Sequence, residues 1–549
     1  MHLGVFLERN ATLYPQKVAL KSGEEICTYK VLRERAVKLG NALVSLGLSK
    51  GDRVAFLDFN SIPYVGFHVG VPFAGLVAVP LNYRLVAREL KFILNDAACK
   101  VLIYSSSFAN VVNEIRQELP FLQHYIVLNG RKDQDISYED LMSGTNEETG
   151  LEPDEDAPAC ILYTSGTTGF PKGAVLSHRN MLAAVRGIIT EKQIVPEKVY
   201  LHLGPLFHVA PLQILLAYLH RGCTSVIMPQ FDPSTALELI KQEAVTDVFF
   251  VPAMLRAIMN SLKIYRNDIS SLSLIAYGGA PTPKALLEEG LTILGPILLQ
   301  VYGSTETGLV TVLRKHQHGI KNEQGELKYM DSCGHMLTEV LVRVVDENGK
   351  DVAQGQVGQV IVKSGSVMQG YWQKPEETEK VIRNGWFYTG DMGRFDEQAF
   401  LYIVDRKKDI IISGGENVYP AEIENVLSMM PQVLEAAVIG IPDEKWGETV
   451  KAVVVVKDGS TLNEQEVIEF CKKNLASYKK PTSVDFVKEI PKNASGKVLK
   501  RVLREYYAKT SNKQLYSMMC NGNRKKKKKS EARSKANTGS TTGRYTRKK

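Results

Sequence analysis

The sequence predicts an α/β protein with a large N-terminal domain of several subdomains and a small α+β C-terminal domain. Strand-like and helix-like segments alternate through about the first three hundred residues, a β-rich region follows near residue 335, and a compact mixture of helices and strands runs to about residue 510. A chain of 549 residues suits two or three domains. We predict domains at 1–404 and 405–511, followed by a basic tail at 512–549.

The N-terminal part alternates buried strands with helices. Apolar runs at 248–252, 273–280 and 296–303 end in turns that contain Gly or Pro, and helical patterns at 236–245 and 283–294 lie between them. This alternation predicts parallel sheets, whose ligands bind beyond the carboxyl ends of the strands.

The longest apolar run, residues 62–81, has the length of a membrane span. It contains prolines, glycines and a histidine, so we interpret it as a buried helix followed by a buried strand. The N-terminal sequence MHLGVFLERN has no basic region before an apolar core, and we therefore expect no secretory signal.

The region after residue 335 changes character. Segments at 340–350 and 358–365 are β-rich with turn signals and predict a small antiparallel barrel or sheet. The charged segment DRKKD at 405–409 is a candidate boundary. Beyond it we expect a helix at 421–430, strands at 435–442 and 448–456, and a helix at 464–475.

The net charge of +8 is concentrated in the tail. Residues 521–549 carry twelve Lys or Arg against one acid, a net +11, which leaves −3 for residues 1–520. The body is mildly acidic, so nucleic acid is not the expected partner. The seven cysteines show neither paired nor zinc-type spacing, which favours reduced thiols in a cytoplasmic protein.

Residues 163–175, YTSGTTGFPKGAV, have the composition of a phosphate-binding loop. The glycines let backbone N–H groups approach an oxyanion, and hydroxyls and one cation accompany them. A Walker A loop is excluded, because Pro171 and Gly173 flank the lysine. The alternative is a flexible hairpin with a solvated lysine. The candidate phosphate-binding residues are Thr164, Ser165, Gly166, Thr167, Thr168, Gly169 and Lys172.

The segment TSGTTGFPKG resembles the signature loop of the adenylate-forming (ANL) superfamily, which includes acyl- and aryl-CoA synthetases, peptide-synthetase adenylation domains and firefly luciferases. Other segments that resemble the family follow in order within about residues 5–510: QVYGSTET, WFYTGDMG and IPKNASGKVLK. The resemblance implies an ATP-dependent AMP-binding enzyme of the acyl-CoA synthetase branch, similar to fatty-acid–CoA ligases, whose small C-terminal domain is mobile.

The resemblance also implies roles for residues of QVYGSTET. Tyr302 would stack on adenine, Thr305 would contact the α-phosphate and Glu306 would hold Mg²⁺. These residue types fit, since a carboxylate suits a hard cation. Further residues of the nucleotide pocket would be Gly303, Gly279 and Ala280.

Three charged residues outside that segment match positions of the family. Asp391 resembles the ribose-binding aspartate, because a carboxylate can accept hydrogen bonds from both ribose hydroxyls. Arg406 would add a contact to ribose or phosphate, and Lys497 would stabilise charge during adenylation. The alternative for the two cations is a solvated surface charge.

A second half-reaction with CoA is implied by the segment SGGENVYPAEIE at 413–424, which resembles that of carboxylate–CoA ligases. The C-terminal domain would rotate about Lys408, and Gly414 and Gly415 would let a pantetheine arm pass close to the backbone. We therefore expect ATP, Mg²⁺ and coenzyme A as the small-molecule cofactors.

The segment PLFHVAPLQ at 205–213 lies where the family builds its acyl pocket. Phe207 and His208 resemble a common Phe-His pair, and we assign His208 a catalytic role, with a packed core histidine as the alternative. The segment has no acidic residue, which argues against an amino-acid substrate. We expect a medium- or long-chain fatty acid. The alternatives are an aryl or succinylbenzoate-type acid, or an acyl-AMP ligase that loads a carrier protein.

The basic tail has three interpretations. It would make weak contact with an anionic membrane surface, it would bind nucleic acid, which we consider the less expected partner, or it is an idle extension. Luciferase-like oxidation and a non-catalytic binding protein are further alternatives, and the presence of Lys172, Glu306, Asp391 and Lys497 argues against the second of these. The sequence leaves the oligomeric state open.

Overall fold

The computed structural model describes residues 2–130, 134–143, 153–164, 171–265, 268–443, 446–492 and 498–508. These residues separate into two compact units, described here one at a time: the first ends at Lys408 and the second begins at Asp409. The predicted phosphate-binding residues 165–169, Lys497 and the basic tail lie outside the described residues.

The first unit contains helices on both sides of two large sheets. Its helices are α1 (Val5–Leu13), α2 (Tyr29–Ser45), α3 (Ile62–Phe73), α4 (Ala87–Asp96), α5 (Ala109–Ile115), α6 (Tyr138–Leu141), α7 (His178–Lys192), α8 (Val209–Arg221), α9 (Pro233–Gln242), α10 (Pro252–Tyr265), α11 (Lys284–Leu294) and α12 (Pro375–Val381). Its strands are β1 (Val18–Ser22), β2 (Glu25–Thr28), β3 (Arg53–Leu57), β4 (Val77–Pro80), β5 (Val101–Ser105), β6 (His124–Leu128), β7 (Ile136–Ser137), β8 (Pro158–Thr164), β9 (Lys172–Ser177), β10 (Val199–His202), β11 (Thr224–Ile227), β12 (Asp247–Phe250), β13 (Leu274–Gly278), β14 (Leu298–Ser304), β15 (Gly308–Leu313), β16 (His335–Met336), β17 (Val340–Val345), β18 (Gly358–Ser364), β19 (Gly370–Tyr371), β20 (Ile382–Arg383), β21 (Trp386–Phe395) and β22 (Leu401–Arg406).

The two large sheets are mainly parallel. One has the order β16-β15-β14-β13-β12-β10-β11-β1-β2, parallel from β14 to β1. The other has the order β19-β9-β8-β4-β3-β5-β6-β7, parallel from β8 to β7. Antiparallel strands complete the edges. The predicted parallel strands at 248–252, 273–280 and 296–303 are β12, β13 and β14, which confirms the α/β class.

Both faces of these sheets are buried, as strand β3 shows. Val54 and Phe56 belong to a core shared with the other large sheet and with α2, α3, α7 and α8. Ala55 and Leu57 belong to a different core, together with α4 and α5. Successive side chains of a strand point to opposite faces, so a strand buried on both faces needs an uninterrupted apolar run.

The apolar run at 62–81 forms α3 and β4, which confirms the predicted helix and strand. Ser61 caps α3 by accepting a hydrogen bond from the Tyr64 backbone N–H. A Cβ at Gly70 would lie 2.9 Å from the Ala36 carbonyl oxygen, so glycine permits the close packing of α3 on α2. Among the described residues, no helix has the length and apolar character needed to cross a membrane.

The β-rich region of the first unit forms an antiparallel sheet. Its order is β17-β18-β21-β20, with β22 paired to β21. This confirms the β-rich subdomain predicted after residue 335. The pairing of β21 with β22 places Asp391 opposite Arg406.

The second unit has an α+β fold with its own core. Its strands are β23 (Ile411–Ser413), β24 (Glu416–Val418), β25 (Val433–Asp443), β26 (Gly447–Val456) and β27 (Ser483–Phe486), and its helices are α13 (Pro420–Ser428), α14 (Glu464–Asn474) and α15 (Lys500–Ala508). The sheet order is β24-β23-β26-β25, and β27 lies parallel to β26. Apolar residues of α13, α14, β25 and β26 pack together, as the sequence predicts.

Candidate active site

The predicted phosphate-binding segment begins and ends in one antiparallel hairpin. Strands β8 and β9 pair Thr164 with Lys172, and the Thr164 hydroxyl donates to the Lys172 carbonyl oxygen at 3.4 Å. The Lys172 side chain is only 14% exposed. Its Nζ lies 2.5 Å from Glu377 Oε2 on α12 and 5.2 Å from the centroid of the Tyr371 ring. The cation is therefore held between two partners from the same later segment.

Glu377 is a permanent anion at this site. Hydrogen bonds from Lys172 and then Lys380 lower the pKa of its carboxyl to about 2. The carboxylate stays ionised at every pH at which the enzyme would be assayed.

The QVYGSTET segment forms a tight turn between β14 and β15. A Cβ at Gly303 would lie 2.0 Å from the Gly308 carbonyl oxygen, so the turn requires glycine at this position. Thr305 and Glu306 are half-buried at the turn. The local sequence thus presents a hydroxyl and a carboxylate side by side after a strand that belongs to a parallel sheet.

Glu306 is fixed by the segment that also contacts Lys172. The Tyr371 hydroxyl donates to Glu306 Oε1 at 3.1 Å, and the Met368 backbone N–H donates to the Glu306 carbonyl oxygen at 2.8 Å. Tyr371 therefore touches both Lys172 and Glu306, which the sequence predicted to act on the phosphates and on the metal.

Asp391 lies at the centre of a second group. The Tyr302 hydroxyl donates to Asp391 Oδ2 at 2.6 Å, and Arg406 Nε forms an ion pair with Asp391 Oδ1 at 3.1 Å. Asp391 is 7% exposed. Burial and the neighbouring carboxylate raise the pKa of Tyr302 well above its usual value, so the hydroxyl remains a donor. Each carboxylate oxygen has two lone pairs, and one on each remains for a further donor such as a ribose hydroxyl.

His208 occupies the N-cap position of α8, makes no side-chain capping hydrogen bond there, and is half-buried. Its ring lies 4.4 Å from the Phe207 ring, and Phe207 meets the Tyr83 ring edge-on at 5.4 Å. Burial, with a smaller contribution from Arg84, lowers the pKa of His208 to about 4, so the imidazole is neutral near pH 7. Its Nε2 has no hydrogen-bond partner among the residues that the structure describes.

The predicted glycines lie at turns. Gly279 follows β13 with a φ of +81°, and Ala280 beside it is exposed. Gly414 and Gly415 lie in the second unit between β23 and β24, both with positive φ. A Cβ at Gly414 would lie 2.8 Å from a ring carbon of Trp446.

The described ranges contain no cluster of three or more His, Cys, Asp or Glu side chains that could hold a metal ion. One carboxylate, such as that of Glu306, is enough for Mg²⁺ bound at a nucleotide. In such sites the ion is held by one or two carboxylates together with the substrate phosphates. Within the described part of the chain, the hydrogen bond to the Glu306 carboxylate comes from Tyr371 and engages only Oε1.

The structure therefore brings Lys172 and Glu306 together through Tyr371, and joins Tyr302, Asp391 and Arg406 by direct bonds. The sequence does not mark Tyr371 or Glu377. Their partners lie 65 and 205 residues earlier in the chain, and no local pattern reports a contact of that range.

Comparison with known proteins assigns the family. The model described as AMP-binding enzyme matches residues 7–372, and the model described as AMP-binding enzyme C-terminal domain matches residues 422–497. The chain is 38% identical over 518 residues to the long-chain-fatty-acid–CoA ligase FadD13 of Mycobacterium tuberculosis, covering 93% of this chain and 99% of that protein. It is 37% identical over 508 residues to a feruloyl-CoA synthase of Amycolatopsis sp., covering 92% and 99%.

A solved structure agrees over nearly the same length. ATP-bound MatB from Rhodopseudomonas palustris has a TM-score of 0.83 to this chain at 32% identity, covering 92% of this chain and 99% of that one. The whole predicted order of segments, and not only the phosphate-binding loop, is thus shared with known enzymes. The chain belongs to the AMP-binding, adenylate-forming (ANL) enzyme family and is an AMP-forming acid–CoA ligase of the acyl-CoA synthetase branch.

Proposed function

We propose that this ligase activates a medium- or long-chain fatty acid with ATP and transfers the acyl group to CoA. The apolar and aromatic side chains of the segment that contains Phe207 and His208 carry the choice of acid. The segment 205–213 has no acidic residue, and α8, which follows it, buries Leu212 and Leu215. A fatty acyl chain gains free energy from such surroundings, whereas an α-amino group would need a countercharge. The resemblance to a long-chain-fatty-acid–CoA ligase supports the same choice.

In the first half-reaction, a carboxylate oxygen of the acid attacks the α-phosphorus of ATP. The bond from that phosphorus to the bridging oxygen breaks, and pyrophosphate leaves with the electron pair. Such a step depends on positioning and charge stabilisation. We assign Lys172 and the loop from Thr164 to Gly169 to the β- and γ-phosphates, Thr305 to the α-phosphate, and Lys497 to the reacting carboxylate.

The remaining residues of the proposed nucleotide site orient the nucleoside. We assign the Tyr302 ring to the adenine, with Gly279, Ala280 and Gly303 forming the adjacent backbone. Asp391 would accept hydrogen bonds from the ribose hydroxyls, and Arg406, in an ion pair with it, would orient that carboxylate. Mg²⁺ bound at Glu306 would neutralise phosphate charge.

In the second half-reaction, the thiol sulfur of CoA attacks the acyl carbonyl carbon, AMP leaves with the electrons of the bond between that carbon and the bridging oxygen, and the thiol proton passes to water. AMP is a far better leaving group than the oxide of a free carboxylate, which is why activation precedes transfer. We assign the backbone at Gly414 and Gly415 to the pantetheine arm. His208, neutral and with a free ring nitrogen, is assigned to a hydrogen bond near the acyl group.

An aryl acid is the second candidate substrate. The edge-on contact between Tyr83 and Phe207 is part of a longer row of aromatic rings. The Phe59 ring centroid lies 4.8 Å from that of Tyr83 and 5.2 Å from that of Phe108. Aromatic rings favour this geometry with one another, so an aryl substrate would pack well beside Phe207. The resemblance to a feruloyl-CoA synthase supports this alternative.

A substrate panel distinguishes the candidates. The purified protein is incubated with ATP, Mg²⁺ and acids from acetate through long fatty acids to benzoate, coumarate and succinylbenzoate, with and without CoA, and the products are identified by mass spectrometry. We expect acyl-CoA and AMP from medium- or long-chain acids, lost in Lys497→Ala and kept in Lys492→Ala. Turnover of aryl acids alone selects the second candidate. Acyl-AMP that accumulates and ignores CoA selects a carrier-loading ligase.

We further propose that the basic tail makes weak contact with an anionic membrane surface, close to the source of a fatty acid. The net charge of +11 over residues 521–549 supports this, since each basic residue near an anionic surface adds about 1 kcal/mol. Full-length protein should pellet with anionic vesicles at low salt more than a 1–511 truncation does. Equal pelleting of the two would leave the tail an idle extension.

A further inference from the structure

One short segment connects the two motifs assigned above to the phosphates and to the metal. This bridging segment, residues 368–381, contains strand β19 and helix α12, and β19 pairs with Ala174 and Val175 of β9. The Trp372 backbone N–H donates to the Gly173 carbonyl oxygen at 2.8 Å. The Met368 backbone N–H donates to the Glu306 carbonyl oxygen, also at 2.8 Å. The bridging segment is therefore bonded to both motifs through its main chain.

Side chains of the bridging segment repeat this connection. Tyr371 donates to Glu306 Oε1 at 3.1 Å and places its ring 5.2 Å from Lys172 Nζ. Glu377 pairs with Lys172 through Oε2 and with Lys380 through Oε1, each at 2.5 Å. Lys172 and Glu306 come from distant parts of the chain, and Tyr371 touches both.

The bridging segment is itself rigid around these side chains. The Tyr371 N–H donates to Thr378 Oγ1 at 2.9 Å, and a Cβ at Gly370 would lie 2.7 Å from Thr378 Cγ2. Thr378 follows Glu377 on α12, so one turn of that helix fixes both Tyr371 and Glu377. A lysine ammonium on a flexible stem loses much rotamer freedom when it binds a phosphate, and a preset orientation removes part of that cost.

We propose that Glu377 and Tyr371 are positioning residues for adenylation. Glu377 orients the Lys172 ammonium, and Tyr371 couples that cation to the Glu306 carboxylate, so the two charges act on the triphosphate as one preset unit. The inference rests on the proposed nucleotide site. Partly exposed ion pairs contribute little to folding stability, so the effect belongs in the rate of adenylation.

The neighbouring glutamate on α12 provides a matched control. Glu377→Gln and Glu376→Gln remove one negative charge each from adjacent positions, but only Glu377 contacts Lys172. ATP–pyrophosphate exchange, calorimetric binding of a non-hydrolysable ATP analogue and thermal unfolding are measured on each full-length variant. We expect Glu377→Gln to lower the kcat of exchange about tenfold, because small misplacements of charged groups cost at least this much. Analogue binding should not weaken, since a repelling charge has been removed, and Glu377→Asp should recover part of the rate.

Tyr371→Phe tests the coupling to the carboxylate. The ring under Lys172 stays and only the hydroxyl bond to Glu306 is lost. We expect the Mg²⁺ concentration for half-maximal analogue binding to rise about tenfold or more, as for the loss of one hydrogen bond to a charged group. Tyr402→Phe, which removes a hydroxyl bonded to Asp396, is the control and should leave that value unchanged.

Several outcomes decide the proposal. A kcat for Glu377→Gln equal to that of Glu376→Gln overturns the proposal, and so does a loss of rate that follows a fall in Tm, because the residues would then be merely structural. A less-than-additive loss in the double variant Glu377→Gln/Tyr371→Phe supports one preset unit. If Lys172→Ala itself leaves exchange unchanged, the proposed nucleotide site fails and this inference with it. If Lys172→Ala abolishes exchange, only the positioning roles are in question.

Discussion

Lys172 and Lys192 lie in the same unit and in contrasting surroundings. Lys172 begins β9, is partly exposed and pairs with Glu377. Lys192 ends α7, is 5% exposed and lies 5.5 and 5.9 Å from the ring centroids of Tyr200 and Tyr218. Within the described part of the chain its Nζ has no hydrogen-bond partner.

Two carboxylates, one in the buried surroundings of Lys192 and one in the candidate site, differ in the same way. Asp247, at the start of β12, is fully buried and accepts hydrogen bonds from Tyr218, Lys198 and Ser273 at 2.5 to 3.0 Å. Asp391 is 7% exposed and, among the residues that the structure describes, has two side-chain partners, both of which the family resemblance places at the nucleotide. A polar group that stabilises the core uses all its partners internally, whereas one that binds a ligand keeps capacity and access.

The perturbed pKa values follow this difference. In the buried cluster of Lys192, Asp247 and His202, burial is the main cause, lowering the pKa of Lys192 to about 8 and that of His202 to about 3. At the candidate site, Lys172 is the main cause of the lowered pKa of Glu377. Substitutions in the buried cluster should therefore change stability, and those at the site should change catalysis.

Glu306→Gln should have the largest effect on catalysis. The amide keeps an acceptor for Tyr371 and loses the charge that Mg²⁺ needs, so ATP–pyrophosphate exchange should fall about 10²- to 10³-fold. The free energy of unfolding should change by less than about 0.5 kcal/mol, as for other partly exposed positions. Glu347→Gln, at an exposed turn, is the control. Exchange at the wild-type rate in Glu306→Gln would remove this carboxylate from the proposed metal site.

Asp247→Ala should have the largest effect on stability. It leaves Lys198, Tyr218 and Ser273 without their buried acceptor, so the free energy of unfolding should fall by about 3–5 kcal/mol. Asp232→Ala, which removes the cap of α9, should cost about 1 kcal/mol and serves as the comparison. Urea unfolding measures both. Equal losses in the two variants would contradict the central role of Asp247 in the buried cluster.

Lys192→Met should stabilise the protein. Keeping a charge on a buried lysine whose pKa is lowered from 10.5 to about 8 costs about 3 kcal/mol at pH 7. Loss of the contacts with Tyr200 and Tyr218 offsets about 1 kcal/mol of that gain. We therefore expect the free energy of unfolding at pH 7 to rise by about 2 kcal/mol, with ligase activity unchanged. Destabilisation at pH 7 would show that the ammonium is favourably held.

The same lysine predicts a pH dependence of stability. Below pH 8, Lys192 is charged in both the folded and unfolded states, so its cost is constant. Between pH 8 and 10.5 the unfolded state binds more protons, and wild-type stability should rise relative to Lys192→Met by up to about 1.4 kcal/mol per pH unit. Urea unfolding of both proteins at pH 7, 8.5 and 9.5 measures the difference, and a constant difference would contradict the lowered pKa.

The sequence predicts the strands and the motifs used in this comparison, but it does not predict the long-range contacts between side chains. Apolar runs identify β12, β13 and β14, because a strand buried on both faces needs a continuous apolar run. Motif order predicts site roles for Glu306 and Asp391, since each lies within a short segment resembling a known family. The contacts of Glu377 with Lys172 and of Lys192 with Tyr218 depend on how distant segments pack, and a single sequence carries no signal of that packing.

The smallest expected effect concerns His208, whose pKa is lowered by burial, as is that of a histidine in the buried cluster. His208 at the site and His202 in the buried cluster both have pKa values lowered by burial, to about 4 and about 3. Both rings are therefore neutral above about pH 5, and kcat/KM for adenylation should show no limb near the ordinary histidine pKa of about 6.5. The measurement is the pH profile of ATP–pyrophosphate exchange from pH 5.5 to 8 for wild type, His208→Gln and His202→Gln. A limb near pH 6.5 that disappears only in His208→Gln would mean that His208 charges during catalysis, and its unpartnered Nε2 would then act in proton transfer.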